Sequence, residues 1–275
     1  MKQPRAKDRL RNLDVRPSKD RGQNFIIDTT VLHSIVEFGK PSAQDAIVEI
    51  GPGLGALTKE LSVCQNLTLV EIEPKFCEDL KLQFPHAKIV CADVREVDFS
   101  ALGSDLLVFG NLPYSFSTDI IFHLIEHSRS IKRAVLMLQR EFAERVAAGP
   151  GGRDYGSISI NAQLMADMRL GPIIPGTAFH PIANVESRLI ELTFLKEPRV
   201  PIANPDWFKK VIKASFLQRR RKLFNSLKPS CIVPGEGVSA ALAAASIEPG
   251  RRAETLSIPE FARLADELYR QRAGS

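Results

Sequence analysis

A short apolar strand that runs into three closely spaced glycines and then into a helix constrains the fold of this chain more than any other segment. The apolar run covers 46–50, and Gly51, Gly53 and Gly55 interrupt the chain around the start of a helical pattern over 54–61. Glycine lets the backbone turn tightly and approach a bound group, because it has no Cβ atom. The helix start offers unpaired N–H groups. The segment therefore predicts a βα unit with a ligand site at its turn.

Short β-branched and apolar runs alternate with helical patterns over most of the chain. The predicted strands cover 46–50, 67–72, 87–91, 106–109 and 134–138, with a late edge strand at 189–195. Helical patterns at 31–36, 54–61, 74–82 and 118–127 separate or flank them. Strands that alternate with helices predict βαβ units and a parallel sheet covered on both faces. The fold class is therefore α/β.

The pattern changes near Lys196, where three prolines at 198, 201 and 205 mark a linker and no strand pattern follows. Helical patterns cover 207–217 and 238–246, and Ser257 and Glu260 have the spacing of a capping box before a last helix. The sequence therefore predicts three parts. These are a flexible basic arm over 1–22, an α/β domain over 23–197 and a small all-helical domain over 198–275.

The chain has 275 residues and a net charge of +5, and this charge is unevenly distributed. Residues 1–22 contain eight Lys and Arg against three Asp, and residues 196–231 contain ten basic against two acidic residues. The part between these two segments is acidic. This distribution favours a polyanionic partner such as nucleic acid, and the alternative is a tail and a helix face that are merely solvated.

Composition also excludes several classes of protein. No run approaches 18 apolar residues, and residues 1–22 lack the apolar core of a secretion signal, so we expect a cytoplasmic protein without membrane contact. The four cysteines, at 64, 77, 91 and 231, are far apart and contain no C-x-x-C pair. We therefore expect no disulfide framework, no metal site and a reducing compartment.

Two acidic residues follow the glycine turn at the ends of the next predicted strands. Glu71 lies 20 residues after Gly51, where its carboxylate can accept hydrogen bonds from ribose hydroxyls. Asp93 follows the third strand, where it can accept from the exocyclic amine of adenine. The constellation fits either a dinucleotide or S-adenosylmethionine. Pro52 weighs against a pyrophosphate, because it has no backbone N–H to donate.

The motif Asn111-Leu112-Pro113-Tyr114, at the end of the fourth strand, selects between these two readings. The adenine N6 amine is a poor nucleophile, because its lone pair is delocalised into the ring. Hydrogen bonds to the Asn111 side-chain oxygen and the Leu112 carbonyl would free that lone pair. Pro113 would aim the carbonyl, and Tyr114 would stack on the extruded base. The motif is of no use to a dehydrogenase and favours methyl transfer from a sulfonium, where proximity and orientation provide most of the acceleration.

These motifs, together with Gly22-Gln23-Asn24-Phe25 and Phe216-x-Gln218-Arg219-Arg220, resemble the KsgA family of ribosomal RNA small-subunit adenine N6-dimethyltransferases. The resemblance covers about residues 18–270. It implies a Rossmann-like methyltransferase sheet that uses S-adenosylmethionine, with a helical domain that docks on the ribosomal subunit. It also implies a monomer that dimethylates two adjacent adenines near the 3′ end of 16S rRNA, within a small subunit or its precursor, with a role in subunit biogenesis.

The resemblance also implies a role for each motif residue. The expected cofactor-binding residues are Asn24, Ile26, Gly51, Gly53, Glu71, Asp93, Val94 and Asn111, and the expected catalytic residues are Asn111 and Tyr114. The expected substrate-binding residues are Leu112, Pro113, Tyr114, Phe179, Arg219, Arg220, Arg221 and Lys222, with Phe179 as a second stacking aromatic opposite Tyr114. The loop Pro181–Val185 departs from the proline-rich family pattern, so its RNA contacts are not carried over.

Two alternatives stay open at this point. The chain could be an adenine N6-methyltransferase that acts on large-subunit rRNA, as the macrolide-resistance methylases do, because Gly22–Phe25 and the helical domain are compatible with both groups. It could also be a ribosome-assembly factor with little turnover, although the intact Asn111–Tyr114 motif weighs against that loss. Overall similarity and the basic run after Phe216 favour the small subunit.

Overall fold

The computed structural model of the protein describes residues 6–15, 24–218, 221–230 and 234–273. The helices of this part are α1 Ala6–Asn12, α2 Thr29–Gly39, α3 Ala56–Leu61, α4 Pro74–Gln83, α5 Ser117–Glu126, α6 Arg140–Ala147, α7 Ser157–Met165, α8 Pro205–Ser215, α9 Leu223–Leu227, α10 Gly235–Ala244 and α11 Ile258–Ala273. The strands are β1 Phe25–Ile26, β2 Ala46–Ile50, β3 Asn66–Glu71, β4 Lys88–Cys91, β5 Leu106–Asn111, β6 Ile131–Gln139, β7 Ala166–Ile174, β8 Phe179–His180 and β9 Ser187–Phe194. The predicted strands and helices of the α/β part are confirmed to within a few residues. The prediction that 189–195 is an edge strand is wrong, because β9 lies between β6 and β7 and pairs with both.

A seven-stranded sheet in the order β4-β3-β2-β5-β6-β9-β7 forms the centre of the first unit. The pairs from β4 to β6 are parallel, and β9 pairs antiparallel with both β6 and β7. The chain builds β3 and β4 on one side of β2 and then β5 and β6 on the other. The strand order therefore reverses between β2 and β5, and the carboxyl ends of strands at such a reversal form a natural crevice for ligands.

Strand β7 is an edge strand that the sequence did not predict. Its register against β9 shifts between Leu170 and Ile173, where Gly171 and Pro172 interrupt the apolar run. Proline cannot donate to a ladder, so it is tolerated only at such an irregular edge. The same two residues conceal the strand from pattern analysis.

The chain divides into two compact units, one within residues 1–143 and 166–196 and the other within 144–165 and 197–275. The division after Lys196 lies one residue from the predicted boundary. The segment 144–165, which the sequence analysis assigned to the α/β domain, instead belongs to the helical unit. The reason is apolar packing, because Tyr155, Ile160 and Leu164 lie in the same buried cluster as the C-terminal helices.

Helix α11 closes the core of the helical unit and begins at the predicted capping box. The Ser257 backbone N–H donates to Glu260 Oε2 at 2.7 Å, and the Glu260 N–H donates back to Ser257 Oγ at 3.4 Å. The Arg251 side chain lowers the pKa of Glu260 to about 2. The predicted helix start is therefore confirmed.

Trp207 in α8 is anchored by a hydrogen bond from its indole N–H to the Ala265 carbonyl in α11, 2.9 Å long.

The prediction of a flexible arm over 1–22 is wrong for residues 6–15, whereas 1–5 and 16–22 lie outside the described residues. Residues 6–12 form α1, in which Leu10 is 3% exposed. Arg9 donates to the Leu54 carbonyl at 2.6 Å and pairs with Asp79 at 2.7 Å. The physical reason is an apolar stripe at i, i+4 and i+7, formed by Ala6, Leu10 and Leu13, which the many charges of this segment conceal.

Two of the cysteines expected to be unpaired form a disulfide. Cys77 in α4 and Cys91 at the end of β4 are joined, with Cα atoms 6.0 Å apart. Cys77 is buried, Cys91 is exposed, and Cys64 is a free buried thiol. The expectation failed because a separation of 14 residues does not reveal that the first turn of α4 packs beside the end of β4. Cys231 lies outside the described residues.

No helix in the described ranges is both long and apolar enough to cross a membrane. Within the same ranges, no group of three or more His, Cys, Asp and Glu side chains could hold a metal ion.

The disulfide should stabilise the first unit by restricting the unfolded chain. We expect Cys91→Ser to lower the free energy of unfolding by about 3 kcal/mol under oxidising conditions, the value for closing a loop of roughly this length. Urea titrations with and without dithiothreitol measure the effect. In the presence of dithiothreitol, wild type and variant should unfold with equal free energies. A difference that survives reduction would assign the effect to packing of Cys91 and contradict the prediction.

Candidate functional site

A cavity of about 320 Å³ lies at the carboxyl ends of β2, β3, β4 and β5, where the strand order reverses. It is lined by the glycine turn, the ends of these strands, the segment 24–26 and part of the segment 111–120. The cavity brings together most of the residues expected to bind cofactor or substrate, namely Asn24, Ile26, Gly51, Gly53, Glu71, Asp93, Val94, Asn111 and Pro113.

The glycine turn forms one wall of this cavity, and its conformation requires glycine. Gly51 has φ = +65° and Gly53 has φ = +53°, values that side chains with a Cβ rarely adopt. A Cβ atom on Gly53 would also lie 2.9 Å from the Phe25 ring. The turn thus opens a concave backbone surface that any larger residue would fill or distort.

Glu71 is fixed by three backbone N–H groups. Gly53 donates to Oε2 at 3.0 Å, and Ile72 and Glu73 donate to Oε1 at 2.9 Å each. Burial raises the pKa of Glu71, and the three bonds oppose that shift. A carboxylate offers about four acceptor positions, so one remains for a ligand donor. The carboxylate therefore connects the glycine turn to the end of β3 and keeps capacity to bind a hydroxyl.

Glu49, which sequence reasoning did not assign to the site, also lines the cavity. It is 2% exposed, and its Oε2 has no hydrogen-bond partner among the described residues. Burial raises its pKa to about 8; the nearby Thr58 hydroxyl opposes this shift without completing a bond, and the charge of Glu71 adds to it. A glutamate inside an apolar strand, two residues before Gly51, was the available sequence signal.

Asp93 caps the 3₁₀ turn Val94–Glu96 that follows β4. Its Oδ1 accepts from the Arg95 backbone N–H at 2.9 Å. The guanidinium of Arg95 also binds this carboxylate and is the main cause of a lowered pKa of Asp93. Asp93 therefore faces the cavity as an ionised acceptor.

Asn111 ends β5, and its side chain is oriented by a bond across the cavity wall. Its Nδ2 donates to the Asn24 carbonyl at 3.0 Å. Because the amide nitrogen is engaged in this way, the remaining side-chain atom, Oδ1, is the one that can accept from a ligand amine. Asn24 and Asn111 are 87 residues apart, so this contact joins the start of the α/β unit to the predicted chemistry motif.

The other motif residues occupy different environments. Leu112 has a buried side chain, and its N–H donates to the Met137 carbonyl at 3.1 Å, which continues the strand pairing into the motif. Tyr114 is half-buried and does not line the cavity, and its hydroxyl lies 3.0 Å from Ser187 Oγ in β9. This bond anchors the far end of the ring and fixes its position.

The structure corrects the expectation for Phe179. Its side chain is 1% exposed and lies in the core of the first unit, because β8 pairs with β1 and places Phe179 opposite Ile26. It is not part of the cavity lining, so in this conformation it is a packing residue. The adjoining loop 181–185 exposes Ile182 and Val185.

The predicted phosphate-binding run lies in the helical unit and is described only in part. Arg221 and Lys222 are exposed just before α9. Arg219 and Arg220 lie outside the described residues.

Other residues of the cavity wall were also missed, among them Arg95, Phe116 and Ile120. They follow Asp93 and Tyr114 by only a few positions. Nothing in their spacing distinguishes a wall residue from an ordinary turn or helix residue.

Comparison with known proteins places these features in a family context. The family model described as ribosomal RNA adenine dimethylase matches residues 16–270. Proteins named ribosomal RNA small subunit methyltransferase A from Geobacter metallireducens and Latilactobacillus sakei are each 38% identical to this chain. The alignments cover 93% and 97% of this chain and 97% and 95% of those proteins, respectively.

Solved structures show the same fold at lower sequence identity. A dimethyladenosine transferase from Plasmodium falciparum aligns with a TM-score of 0.78 and 22% identity, over 90% of this chain and 98% of that chain. The 23S rRNA methyltransferase ErmE aligns with a TM-score of 0.66 and 22% identity, over 90% and 100%. These likenesses show that the chain has a known fold.

The buried carboxyl of Glu49 predicts how stability depends on pH. Between its ordinary value of 4.5 and about 8, the unfolded chain releases this proton while the folded chain retains it. The free energy of unfolding therefore falls as pH rises through this window. We expect Glu49→Gln to remove that fall and to exceed wild type by a few kcal/mol at pH 9, since one pKa unit corresponds to about 1.4 kcal/mol.

Urea unfolding between pH 4 and pH 9 measures this effect. Near pH 4 the two proteins should differ little, because Glu49 is then neutral in both states. Glu37→Gln, at an exposed position of α2, is the matched control and should follow wild type throughout. Parallel pH profiles for wild type and Glu49→Gln would refute the prediction.

Proposed function

The chain belongs to the ribosomal RNA adenine dimethylase family, and on this premise we propose that it transfers methyl groups from S-adenosylmethionine to N6 of adenine in small-subunit rRNA. The expected targets are the two adjacent adenines near the 3′ end of 16S rRNA, each converted to dimethyladenosine. The relatives from Geobacter metallireducens and Latilactobacillus sakei support the small subunit as the substrate. Both are named as small-subunit methyltransferases, and both align with nearly the full length of this chain.

The residues around the cavity fit S-adenosylmethionine. The remaining acceptor position of Glu71 suits a ribose hydroxyl, and the ionised Asp93 suits an exocyclic amine beside the Val94 backbone. The unpartnered buried oxygen of Glu49 suits a polar group near the glycine turn, and a positively charged group there would favour release of the Glu49 proton. Asn24 and the backbone at Ile26 would hold the amino-acid end. When bound, this cofactor supplies an electrophilic methyl group on a sulfonium.

The observation that carries the proposed reaction is the bond from Asn111 Nδ2 to the Asn24 carbonyl. It leaves Asn111 Oδ1 to accept one N–H of the target amine, while the Leu112 carbonyl accepts the other. Two acceptors on one amine favour a tetrahedral nitrogen and release its lone pair from the ring. Orientation of the amine then lowers the barrier without a strong base. The same arrangement serves a second round of transfer, because the monomethylated amine still has one N–H to donate.

The target base must leave its helix to reach this site, and unstacking has an energetic cost. Tyr114 offsets part of that cost by stacking, with its ring held by the bond to Ser187 Oγ. Pro113 restricts the backbone between the amine-binding carbonyl and this ring. The exposed Arg221 and Lys222, with Arg219 and Arg220, would bind rRNA phosphates without reading sequence. We further propose that the chain acts in the cytoplasm as a monomer on an assembled or precursor small subunit.

A role on large-subunit rRNA is the second candidate, and no observation on this chain favours it. The fold it shares with ErmE is common to both groups. An assembly factor without turnover is disfavoured by the arrangement of Asn111, since a side chain held ready to accept from an amine has no use in docking.

Methylation of purified subunits tests the proposed function. Unmodified small and large subunits are each incubated with the chain and labelled S-adenosylmethionine. We expect methyl groups in the small subunits only, and nucleoside mass spectrometry should identify N6,N6-dimethyladenosine there. Asn111→Ala should abolish transfer, because the amine loses its oriented acceptor. Asn66→Ala, an exposed position at the amino end of β3, is the matched control and should retain wild-type rates.

An active Asn111→Ala enzyme would contradict the mechanism but not the substrate. Methyl groups found only in 23S rRNA would contradict the substrate and favour the second candidate.

Variants of Tyr114 separate stacking from anchoring. Tyr114→Ala should lower kcat/KM by about 5- to 150-fold, the range expected for loss of one stacked base at roughly 1–3 kcal/mol. Tyr114→Phe keeps the ring and loses only the bond to Ser187, so we expect a loss of a few-fold. Steady-state rates with small subunits measure both. Equal effects of the two substitutions would show that the hydroxyl, and not the ring face, is the important group.

A further inference from the structure

One arginine links the carboxylate of Asp93 to the loop that follows the Asn111–Tyr114 motif. Arg95 Nε donates to Asp93 Oδ1 at 3.0 Å and Oδ2 at 3.2 Å, and its Nη2 donates to Oδ2 at 2.5 Å. Its Cζ lies 4.4 Å from the centroid of the Phe116 ring. Its Nη1 lies 3.9 Å from Asp119 in the first turn of α5. The guanidinium thus connects the end of β4 to the start of α5.

These contacts define which acceptor positions of Asp93 remain. A carboxylate offers about four such positions, and Arg95 fills three of them with its backbone N–H, its Nε and its Nη2. The position that remains lies on Oδ2, because Nε is nearer to Oδ1, at 3.0 Å, than to Oδ2, at 3.2 Å. Asp93 lines the cavity, so it presents one oriented acceptor there instead of two freely rotating oxygens.

The same guanidinium fixes a second part of the cavity wall. Phe116 is half-buried, lines the cavity and precedes α5. A guanidinium over an aromatic face attracts the ring, and the attraction grows as the pair is desolvated. The side chain of Arg95 is 38% exposed, so these contacts, and not burial, determine its position.

We propose that Arg95 is a positioning and specificity-determining residue that aims the Asp93 carboxylate at the amine of a 6-aminopurine and holds the Phe116 ring against the same end of the cavity. The assignment rests on the proposed function and adds to it the discrimination between purines. A 6-oxopurine presents an acceptor where a 6-aminopurine presents donors, so an ionised carboxylate disfavours it. Arg95 also favours the ionised form of that carboxylate, because it lowers the pKa of Asp93.

Calorimetric titration of the full-length chain tests this role with two probes, S-adenosylhomocysteine and its 6-oxo analogue S-inosylhomocysteine. Arg95→Met keeps the aliphatic stem and removes the charge. We expect it to weaken S-adenosylhomocysteine by about tenfold, the scale of one charge-assisted contact, and to change S-inosylhomocysteine by less than about twofold. The preference for the 6-amino ligand should therefore fall by about fivefold or more.

Two further variants show whether the contact between Arg95 and the Phe116 ring contributes to the same positioning role. Phe116→Leu removes the aromatic face and should weaken S-adenosylhomocysteine by a few-fold. Combined with Arg95→Met it should add less than its own effect, because both substitutions break one contact. Phe116→Leu also provides the measurement if Arg95→Met does not fold.

The matched control is Arg169, whose guanidinium makes the same kinds of contact away from the cavity. It lies 3.9 Å from the Phe38 ring centroid and 3.1 Å from Glu191. Arg169→Met should therefore leave the affinities for both probes unchanged.

Several results would overturn the role of Arg95. Wild-type or tighter binding of S-adenosylhomocysteine by Arg95→Met would do so. An equal loss of affinity for both probes would also overturn the role, because a purely structural contact would weaken both ligands alike. Both results would leave the proposed methyltransferase function intact. A wild-type chain that binds no S-adenosylhomocysteine would instead overturn the proposed function, and the role of Arg95 with it.

Discussion

The buried carboxylate of Glu71 is the interaction on which the rest of the site depends. It accepts from Gly53 in the glycine turn and from Ile72 and Glu73 beyond β3, so it fixes two strand ends against each other. An ionisable group with 4% exposure is tolerated only because these donors replace water. The three hydrogen bonds of Glu71 shape one wall of the cavity, and its remaining acceptor position can bind a ligand hydroxyl there. Stability and ligand binding therefore involve the same atoms.

The target side of the cavity is organised by a second long-range contact. The bond from Asn111 to Asn24 connects the end of β5 to the segment before β1, and β1 is in turn held by β8. Cofactor residues and the amine-binding motif are thus parts of one framework, although the chain supplies them from five separate segments. Enzymes that activate a weak nucleophile by orientation require such rigidity, because small displacements of the reacting groups lower the rate strongly.

Much of this arrangement followed from the sequence, and the exceptions have physical causes. The parallel strands, the glycine turn, Glu71 and Asp93 were predictable, because period, turn chemistry and strand ends are local properties. Helix α1, the disulfide and the burial of Phe179 were not, because each depends on which element packs beside it. Residues 144–165 join the helical unit through apolar packing that no local pattern reveals. Arg95 was missed since its role comes from contacts that only the folded chain creates. Glu49 was missed although its place inside an apolar strand was a signal, because its unpartnered oxygen becomes apparent only in the folded chain.

Mass spectrometry of rRNA nucleosides, from cells with and without this chain, tests the central claim most directly. The account predicts N6,N6-dimethyladenosine at two adjacent adenines near the 3′ end of 16S rRNA in cells that contain the chain. It predicts unmodified adenines at both positions in cells that lack it, with recovery when the wild-type chain is restored. Identical modification of 16S rRNA in both kinds of cell would contradict the account.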